Sequence, residues 1–459
     1  MFPRFLSSIV SWRSVAILAF IACLLQVTNL VLSWQLRQRE LLASEAASAP
    51  AAEIPGSISR AGIRRQHAAI RRRDYHLGKK LSDDHEAILS RIARWSVLDS
   101  SGEFRVSVGI LRGTGLDSSN DDNGPEGREE LFGPTSQGLT LVTQCSFGQL
   151  HHLPYLASYW QGPVSVAVFA LSGEVQAVVQ AFHLLRQCYP NIKENVTFSL
   201  IFPLNSPTSP HLTPTSDTTP CDKIFSDTYQ ANYDFKGIQY PNNLLRNTAK
   251  KATTTGLMLV IDIDMVPSEG LHEAFSRYAK SNNILDENSS EEKTVWILPA
   301  YEIKEGTTIP KTKQDLLKMR EKGTARPFYQ ELCLKCQKYT DYAAWEKSAK
   351  GKQGSVEALF EVLWQDPYEP FYISRVNVPS YDERFRQYGF NRISQVCELH
   401  VAGYRFLVLD SAFVIHQGFK ISGTFHNSKD MEQEKNRVLF RQFKGELKEK
   451  YPESSRRCY

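Results

Sequence analysis

The chain has 459 residues, 42% of them apolar and 11% aromatic, enough for one large α/β domain with attached non-globular segments. Lys and Arg total 54 against 50 Asp and Glu, a net charge of only +4, and much of the basic excess lies between Arg64 and Lys80. That balance leaves little case for a nucleic-acid partner.

In chain order, residues 1–13 form a short tail, and Ser14 to Trp34 carry no charged residue, a stretch long enough to span a bilayer as one helix. It is too long for a typical signal-peptide core, and the nearest Ala-Ser-Ala, ending at Ala49, precedes Pro50, a poor cleavage site. Residues 14–34 are therefore expected to be an uncleaved signal anchor. Arg4 and Arg13 before the span are balanced by Arg37 and Arg39 after it, so charge does not set its orientation. The sequons Asn195-Val-Thr and Asn288-Ser-Ser, with seven of the eight cysteines beyond the span, favour a lumenal body. The expectation is a type II membrane protein with a cytoplasmic tail. Residues 35–94, Ala/Ser/Arg-rich with the run Arg71-Arg-Arg73, read as a stem, and 95–459 as the lumenal domain. A polar tract from Leu116 to Pro134 reads as a loop.

The ordered body is expected to begin near Gly138. Leu139–Thr143, Val164–Phe169 and Phe198–Phe202 have strand character, while Val175, Ala177, Val178, Ala181, Phe182 and Leu185 fall at helical spacing. Asn243 to Lys251 reads as a helix leading into the apolar run Leu259-Val-Ile-Asp-Ile-Asp-Met-Val-Pro267. Strand, helix and strand in succession predict a mostly parallel sheet, with ligands at the carboxyl ends of its strands. Asp262 and Asp264 would sit at such an end, and two buried carboxylates stay ionised only beside a cation, for which a divalent metal is suited. Phe406–Leu409 and Phe413–Ile415 are further short apolar runs, the second leading into His416-Gln-Gly-Phe-Lys420. A neutral His416 could complete the coordination, Gly418 allows close backbone approach, and Lys420 could meet a phosphate. Cys333-Leu-Lys-Cys336 has no second C-x-x-C partner, so a disulfide, within the pair or elsewhere, is favoured over zinc. Seven cysteines leave one over, and Cys458 is the expected odd one.

Tyr240-Pro-Asn-Asn-Leu-Leu-Arg-Asn247, the VIDIDMVPSEG run from Val260, Tyr381 to Ser394, and Cys397-Glu-Leu-His-Val-Ala-Gly403 together resemble the β-1,4-glucuronyltransferase family. That family groups with the glucuronyltransferase half of the bifunctional xylosyl/glucuronyltransferase that extends matriglycan. The resemblance runs from about Leu141 to Cys458. It implies a GT-A fold, α/β with a Rossmann-like mixed, mostly parallel sheet and helices on both faces. It also implies a Golgi location, UDP-glucuronate as donor and Mn²⁺ as cofactor. The implied acceptor is the β-xylose of the O-mannosyl glycan on α-dystroglycan, with a complex with the xylosyl/glucuronyltransferase in view. Asp262 and Asp264 match the family's D-x-D, and His416 the late histidine of GT-A enzymes.

Going from an α-linked donor to a β-linked product inverts the anomeric carbon and needs a general base. The segment that supplies it in many inverting GT-A enzymes corresponds to Tyr388-Gly-Phe-Asn-Arg392, where Asn391 and Arg392 replace the acidic pair. Arg392 or Arg246, with Asn391 beside them, could instead meet the donor's carboxylate or phosphates, because Arg presents a bidentate fork. Glu369, Asp382, Glu383 and Glu398 remain for the base. Glu369 is preferred for its setting among Trp364, Tyr368 and Pro370, aromatics that either stack on sugars or pack the core. Two alternatives stand: a β-1,3-N-acetylglucosaminyltransferase making poly-N-acetyllactosamine, and a non-catalytic Golgi scaffold.

Overall fold

The computed structural model describes residues 85–116, 136–205, 237–286, 292–348, 354–421 and 428–458, with positions 220, 221, 224, 225 and 289 besides. The expected anchor at 14–34, the loop from 117 to 134 and Asn288 lie outside these residues. Among the described residues no helix is long and apolar enough to cross a membrane. Residues 85–95 are helical and bury Ile88 and Ile92 in the core, so order begins well before Gly138.

The main sheet holds Val97–Leu98 (β1), Phe104–Leu111 (β2), Ser136–Ser146 (β3), Val164–Phe169 (β4), Val196–Pro203 (β5) and Thr255–Val260 (β6). Met265–Pro267 (β7) leaves it, Thr294–Leu298 (β8) returns, and Ala300–Ile303 (β9) and Ala325–Pro327 (β10) leave again. Ala358–Val362 (β11), Phe371–Arg375 (β12) and Arg405–Leu409 (β13) complete it, and Val414–Gln417 (β14) joins β7. The order is β1-β2-β5-β4-β3-β6-β12-β8-β13-β11, with a second sheet β10-β9-β14-β7. Strands β3 to β6 are mutually parallel where they pair, whereas β12 runs antiparallel between β6 and β8.

Side-chain alternation explains why this sheet is covered on both faces. Leu257 and Leu259 of β6 enter one apolar cluster, and Met258 and Val260 enter the other. Trp296 and Leu298 of β8 divide from Val295 and Ile297 in the same way. Helices Leu153–Trp160 (α1), Val175–Cys188 (α2) and Leu271–Ser281 (α4) cover the first face. Asn242–Lys251 (α3), Asn391–Val401 (α5) and Lys429–Lys450 (α6) cover the second. The result is a mixed α/β body, but the expectation of a mostly parallel sheet is corrected: the β3–β6, β4–β3, β5–β4 and β13–β8 pairs are parallel, and the other five pairs of the main sheet are antiparallel.

The aspartate run is not one continuous strand. Strand β6 stops at Val260, a turn carries Asp262 to Asp264, and β7 then pairs with β14 in the second sheet. The cysteine expectation is also corrected. Cys397 bonds Cys458, Cys188 bonds Cys221, and Cys333 bonds Cys336, leaving Cys145 as the odd thiol. Cys458 is buried against α5, whereas Cys145 points from β3 into the first apolar cluster, away from any partner sulfur.

Candidate active site

The turn after β6 gathers most of the expected residues. The β7–β14 register sets His416 opposite Met265, and so beside Asp264. His416 Nε2 lies 3.2 Å from Asp264 Oδ2, and its Nδ1 lies 2.8 Å from the Gly418 carbonyl oxygen. A carbonyl only accepts, so Nδ1 carries the proton and donates it, and the other ring nitrogen faces the carboxylate. The Gly418 backbone has φ +88°, which lets its carbonyl turn back on the ring. Lys420 Nζ stands 3.7 Å from the same Asp264 oxygen. The backbone N–H of Lys420 is held by buried Glu302, at 2.8 Å, whose other oxygen takes the Arg326 guanidinium.

Asp262 is occupied differently. Arg246 donates to its Oδ1 at 3.1 Å, and Arg392 donates to its Oδ2 at 2.7 Å. Gln144, at the end of β3, adds a longer contact to Oδ1 at 3.4 Å and accepts from the Tyr240 hydroxyl. Asn391 and Asn243 each accept from Arg246 Nη1 at 2.9 Å. The Arg392 guanidinium lies over the Phe371 ring at 4.1 Å. The cation that permits Asp262 to ionise is thus a pair of arginines from α3 and α5. Those two partners neutralise the carboxylate with or without a metal beside it.

Burial opposes ionisation of both aspartates. At Asp262 the Arg392 and Arg246 charges outweigh it and hold the carboxyl below the ordinary range. At Asp264 the hydrogen bond and charge of His416, with Lys420, do the same and more strongly. Glu369, half-buried just before β12, goes the other way. Burial pushes it up to about 7, against the pull of Arg392, while Asp262 adds to the rise. Because β12 is antiparallel to β6, carrying the Ile373–Leu259 pairing four residues on brings Glu369 level with the Asp262–Asp264 turn.

Asp382 and Glu398 are not brought there. Asp382 pairs with Arg384, and its carbonyl accepts from Asn243 at 2.8 Å, which makes it a brace for α3. Glu398 is buried under α6, accepting from Lys450 at 2.7 Å and the Tyr451 hydroxyl at 2.9 Å. Both carboxylates, expected as candidate bases, are engaged by donors outside the acidic turn. Glu383 likewise accepts from Asn247. Trp364 and Tyr368 are core residues: the Trp364 indole donates to the Tyr368 carbonyl, and Tyr368 bonds Thr340.

Sequence reasoning passes over several neighbours. Tyr329 holds a left-handed backbone at φ +59°, and burial with the Glu369 charge pushes its phenol well above the ordinary range. His152 feels the charges of Asp264 and His416, while burial pulls its imidazole below the usual value. A histidine in Leu-His-His-Leu or a lone tyrosine carries no pattern that singles it out.

Among the described residues no set of three His, Cys, Asp or Glu side chains is arranged to hold a metal. Asp264 and His416 nevertheless fit one. With the Nδ1 proton fixed by a carbonyl, exchange of the Nε2 proton for a metal ion would leave the imidazole and a carboxylate oxygen as two ligands facing one cation.

Residues 138–452 match the family described as glycosyl-transferase for dystroglycan. The β-1,4-glucuronyltransferase 1 of Danio rerio is 40% identical over 377 residues, covering 79% of this chain and 83% of the relative. The Homo sapiens β-1,4-glucuronyltransferase 1 is 38% identical over 381 residues, covering 80% and 84%. The xylosyl- and glucuronyltransferase LARGE2s of Gallus gallus is 30% identical over 292 residues, 63% of this chain and 33% of that longer protein. Among solved structures, GalNAc-T7 with UDP, GalNAc and Mn²⁺ gives a TM-score of 0.34 at 10% identity, covering 76% of this chain and 63% of that one. The protein is a glycosyltransferase. The chain belongs to the dystroglycan glycosyltransferase family.

Proposed function

We propose that the chain is an inverting, metal-dependent β-1,4-glucuronyltransferase of GT-A type. It moves glucuronate from UDP-glucuronate to a β-xylose acceptor, priming the O-mannosyl glycan of α-dystroglycan for matriglycan synthesis. The names of its relatives support the reaction. The observation that carries the reading in this chain is the paired fork of Arg246 and Arg392 beside the acidic turn.

Two guanidiniums locked by Asp262, Asn243 and Asn391 present a rigid cationic face suited to the donor's carboxylate or diphosphate. Asp264 and His416 would hold a divalent ion such as Mn²⁺, with Lys420 close enough to share the anion's charge. A bound ion there would act as a Lewis acid for the departing diphosphate. Glu369 serves as the base. As the acceptor hydroxyl oxygen bonds the anomeric carbon, its proton passes to the Glu369 carboxylate and the bonding pair leaves with UDP. A carboxylate raised to about 7 is a stronger base than an ordinary one.

Placement in the Golgi as a single-pass type II protein is part of the same proposal. Three disulfides support an oxidising compartment, and the uncharged Ser14–Trp34 stretch supplies the anchor. Asn195, half-buried at the end of a short helix, and Asn288 are the acceptors for glycosylation.

The test is a donor competition. Purified full-length protein in detergent is given a β-xyloside, Mn²⁺ and equal UDP-glucuronate and UDP-GlcNAc. Glucuronylated xyloside is the expected product. Transfer of GlcNAc alone would establish the N-acetylglucosaminyltransferase reading, and no transfer from either donor would favour the scaffold.

A further inference from the structure

The Cys333–Cys336 disulfide is the one sequence motif that the reaction leaves without a role. Its surroundings give it one. The Cys333 N–H donates to the Tyr329 carbonyl at 2.9 Å. On the other side of the four-residue loop, the Glu369 N–H donates to the Cys336 carbonyl, also at 2.9 Å. The neighbouring Gln337 amide closes the same contact by donating to the Glu369 carbonyl at 2.9 Å. The disulfide loop is therefore bonded by its backbone to two residues that face the acidic turn.

Those two residues are otherwise weakly constrained. Tyr329 sits alone in a left-handed conformation after β10, its ring stacked on Phe328 at 4.1 Å. Such a backbone is strained for a residue with a side chain and persists only where neighbours enforce it. Glu369 ends a loop between β11 and β12, and no hydrogen bond to its carboxylate fixes the side chain among the described residues. Phe328 in turn contacts Phe371 and His416, with ring centroids 5.9 Å away in each case. The loop thus ties the base to an aromatic wall that also backs the Asp264–His416 pair.

We propose that the Cys333–Cys336 disulfide is a positioning element for acceptor attack, fixing Glu369 and Tyr329 relative to each other across the acceptor side of the site. This rests on the reading of Glu369 as the base. An effective base must lie within hydrogen-bond reach of the hydroxyl it deprotonates, and a displacement of about 1 Å can cost on the order of 100-fold. The donor side, built from Arg246, Arg392, Asp264 and His416, is hydrogen-bonded through α3, α5 and β14 and shares with the loop the Phe328 ring contacts rather than its backbone bonds.

The test separates the two halves of the reaction. Cys333→Ser with Cys336→Ser, in the full-length protein, should lower acceptor-dependent kcat at least tenfold and leave the KM for UDP-glucuronate within twofold. Slow release of UDP without acceptor, which uses only the donor side, should also stay within twofold. Gln337→Ala, with the disulfide intact, should shift transfer in the same direction and by less. Wild-type transfer in the double variant would overturn the proposal, as would parallel losses of transfer, donor hydrolysis and melting temperature in both variants. Glu369→Gln tells the two levels apart. If it transfers at the wild-type rate, the base assignment itself falls and this proposal with it. If it is inactive while the double cysteine variant is normal, the positioning role alone is wrong.

Discussion

Arg392 donates to Asp262 at 2.7 Å while its guanidinium carbon lies over the Phe371 ring, 4.1 Å from the centroid, so one side chain is fixed by charge and by a cation–π contact at once. A lysine reproduces the charge without the planar fork. Arg392→Lys should therefore weaken donor use more than it weakens folding. Hydrogen bonds to charged groups contribute about 1.5–3 kcal/mol, roughly 10- to 100-fold in kcat/KM for UDP-glucuronate. Steady-state kinetics with varied donor, beside a thermal melt within a few degrees of wild type, checks this.

The Asp264–His416 pair leads to a separate expectation about metal. Removing a ligand or the group that orients it typically costs 10- to 100-fold in affinity. His416→Ala should raise the Mn²⁺ concentration needed for half-maximal UDP binding by about that factor. Calorimetric titrations of UDP at a series of Mn²⁺ concentrations read the change. Asp262→Asn, which disturbs the arginines, should act instead on affinity for the glucuronate-bearing donor relative to UDP alone.

The raised carboxyl of Glu369 sets the pH behaviour. A base must be ionised to accept a proton, so kcat/KM should rise as pH climbs through about 7 and then level off. Stability runs the other way. The unfolded chain releases this proton near the ordinary value of 4.5, while the folded one keeps it to about 7. Stability from this group is full below 4.5 and declines as pH rises toward 7. Glu369→Gln should lower transfer by about 100- to 10,000-fold and flatten the fall of melting temperature across that window. Rate profiles and melts at matched pH measure both.

Glu398 offers a contrasting case. It is buried and accepts from Lys450 and Tyr451, far from the acidic turn in role. Glu398→Ala leaves those donors without their acceptor, at a cost of about 1–3 kcal/mol. Its melting temperature should drop while kcat on remaining folded protein stays within about twofold. A kcat loss without destabilisation would return Glu398 to the chemistry.

Much of this site can be read from the sequence because its anchors end apolar runs. Asp262 and Asp264 follow β6, His416 comes after the apolar residues of β14, and the residue types announce an acidic turn with an imidazole nearby. The partner of Asp262 is not legible in that way. Arg246 lies 16 residues before it and Arg392 lies 130 after, and only the packing of α3 and α5 brings them to one carboxylate. Asp382, Glu383 and Glu398 have the same composition as a base, and the donors that engage them appear only in the fold. Cysteine pairing fails for the same reason. Cys458 looks stray at the end of the chain, yet Cys397 waits for it on α5, whereas Cys145 is isolated by the very burial that a strand residue expects. The helix at 85–95 hides next to an Arg- and Asp-rich segment, and its two core residues, Ile88 and Ile92, stand at i, i+4.

The most direct measurement follows product formation from UDP-glucuronate and a β-xyloside with Mn²⁺, by proton NMR, for wild type and for Asp262→Asn with Asp264→Asn. Wild type should give a β-1,4-linked glucuronate on the xylose, and the double variant, still folded by its melt, should give none. A folded double variant that makes the same product would contradict the metal-dependent reaction proposed for this turn.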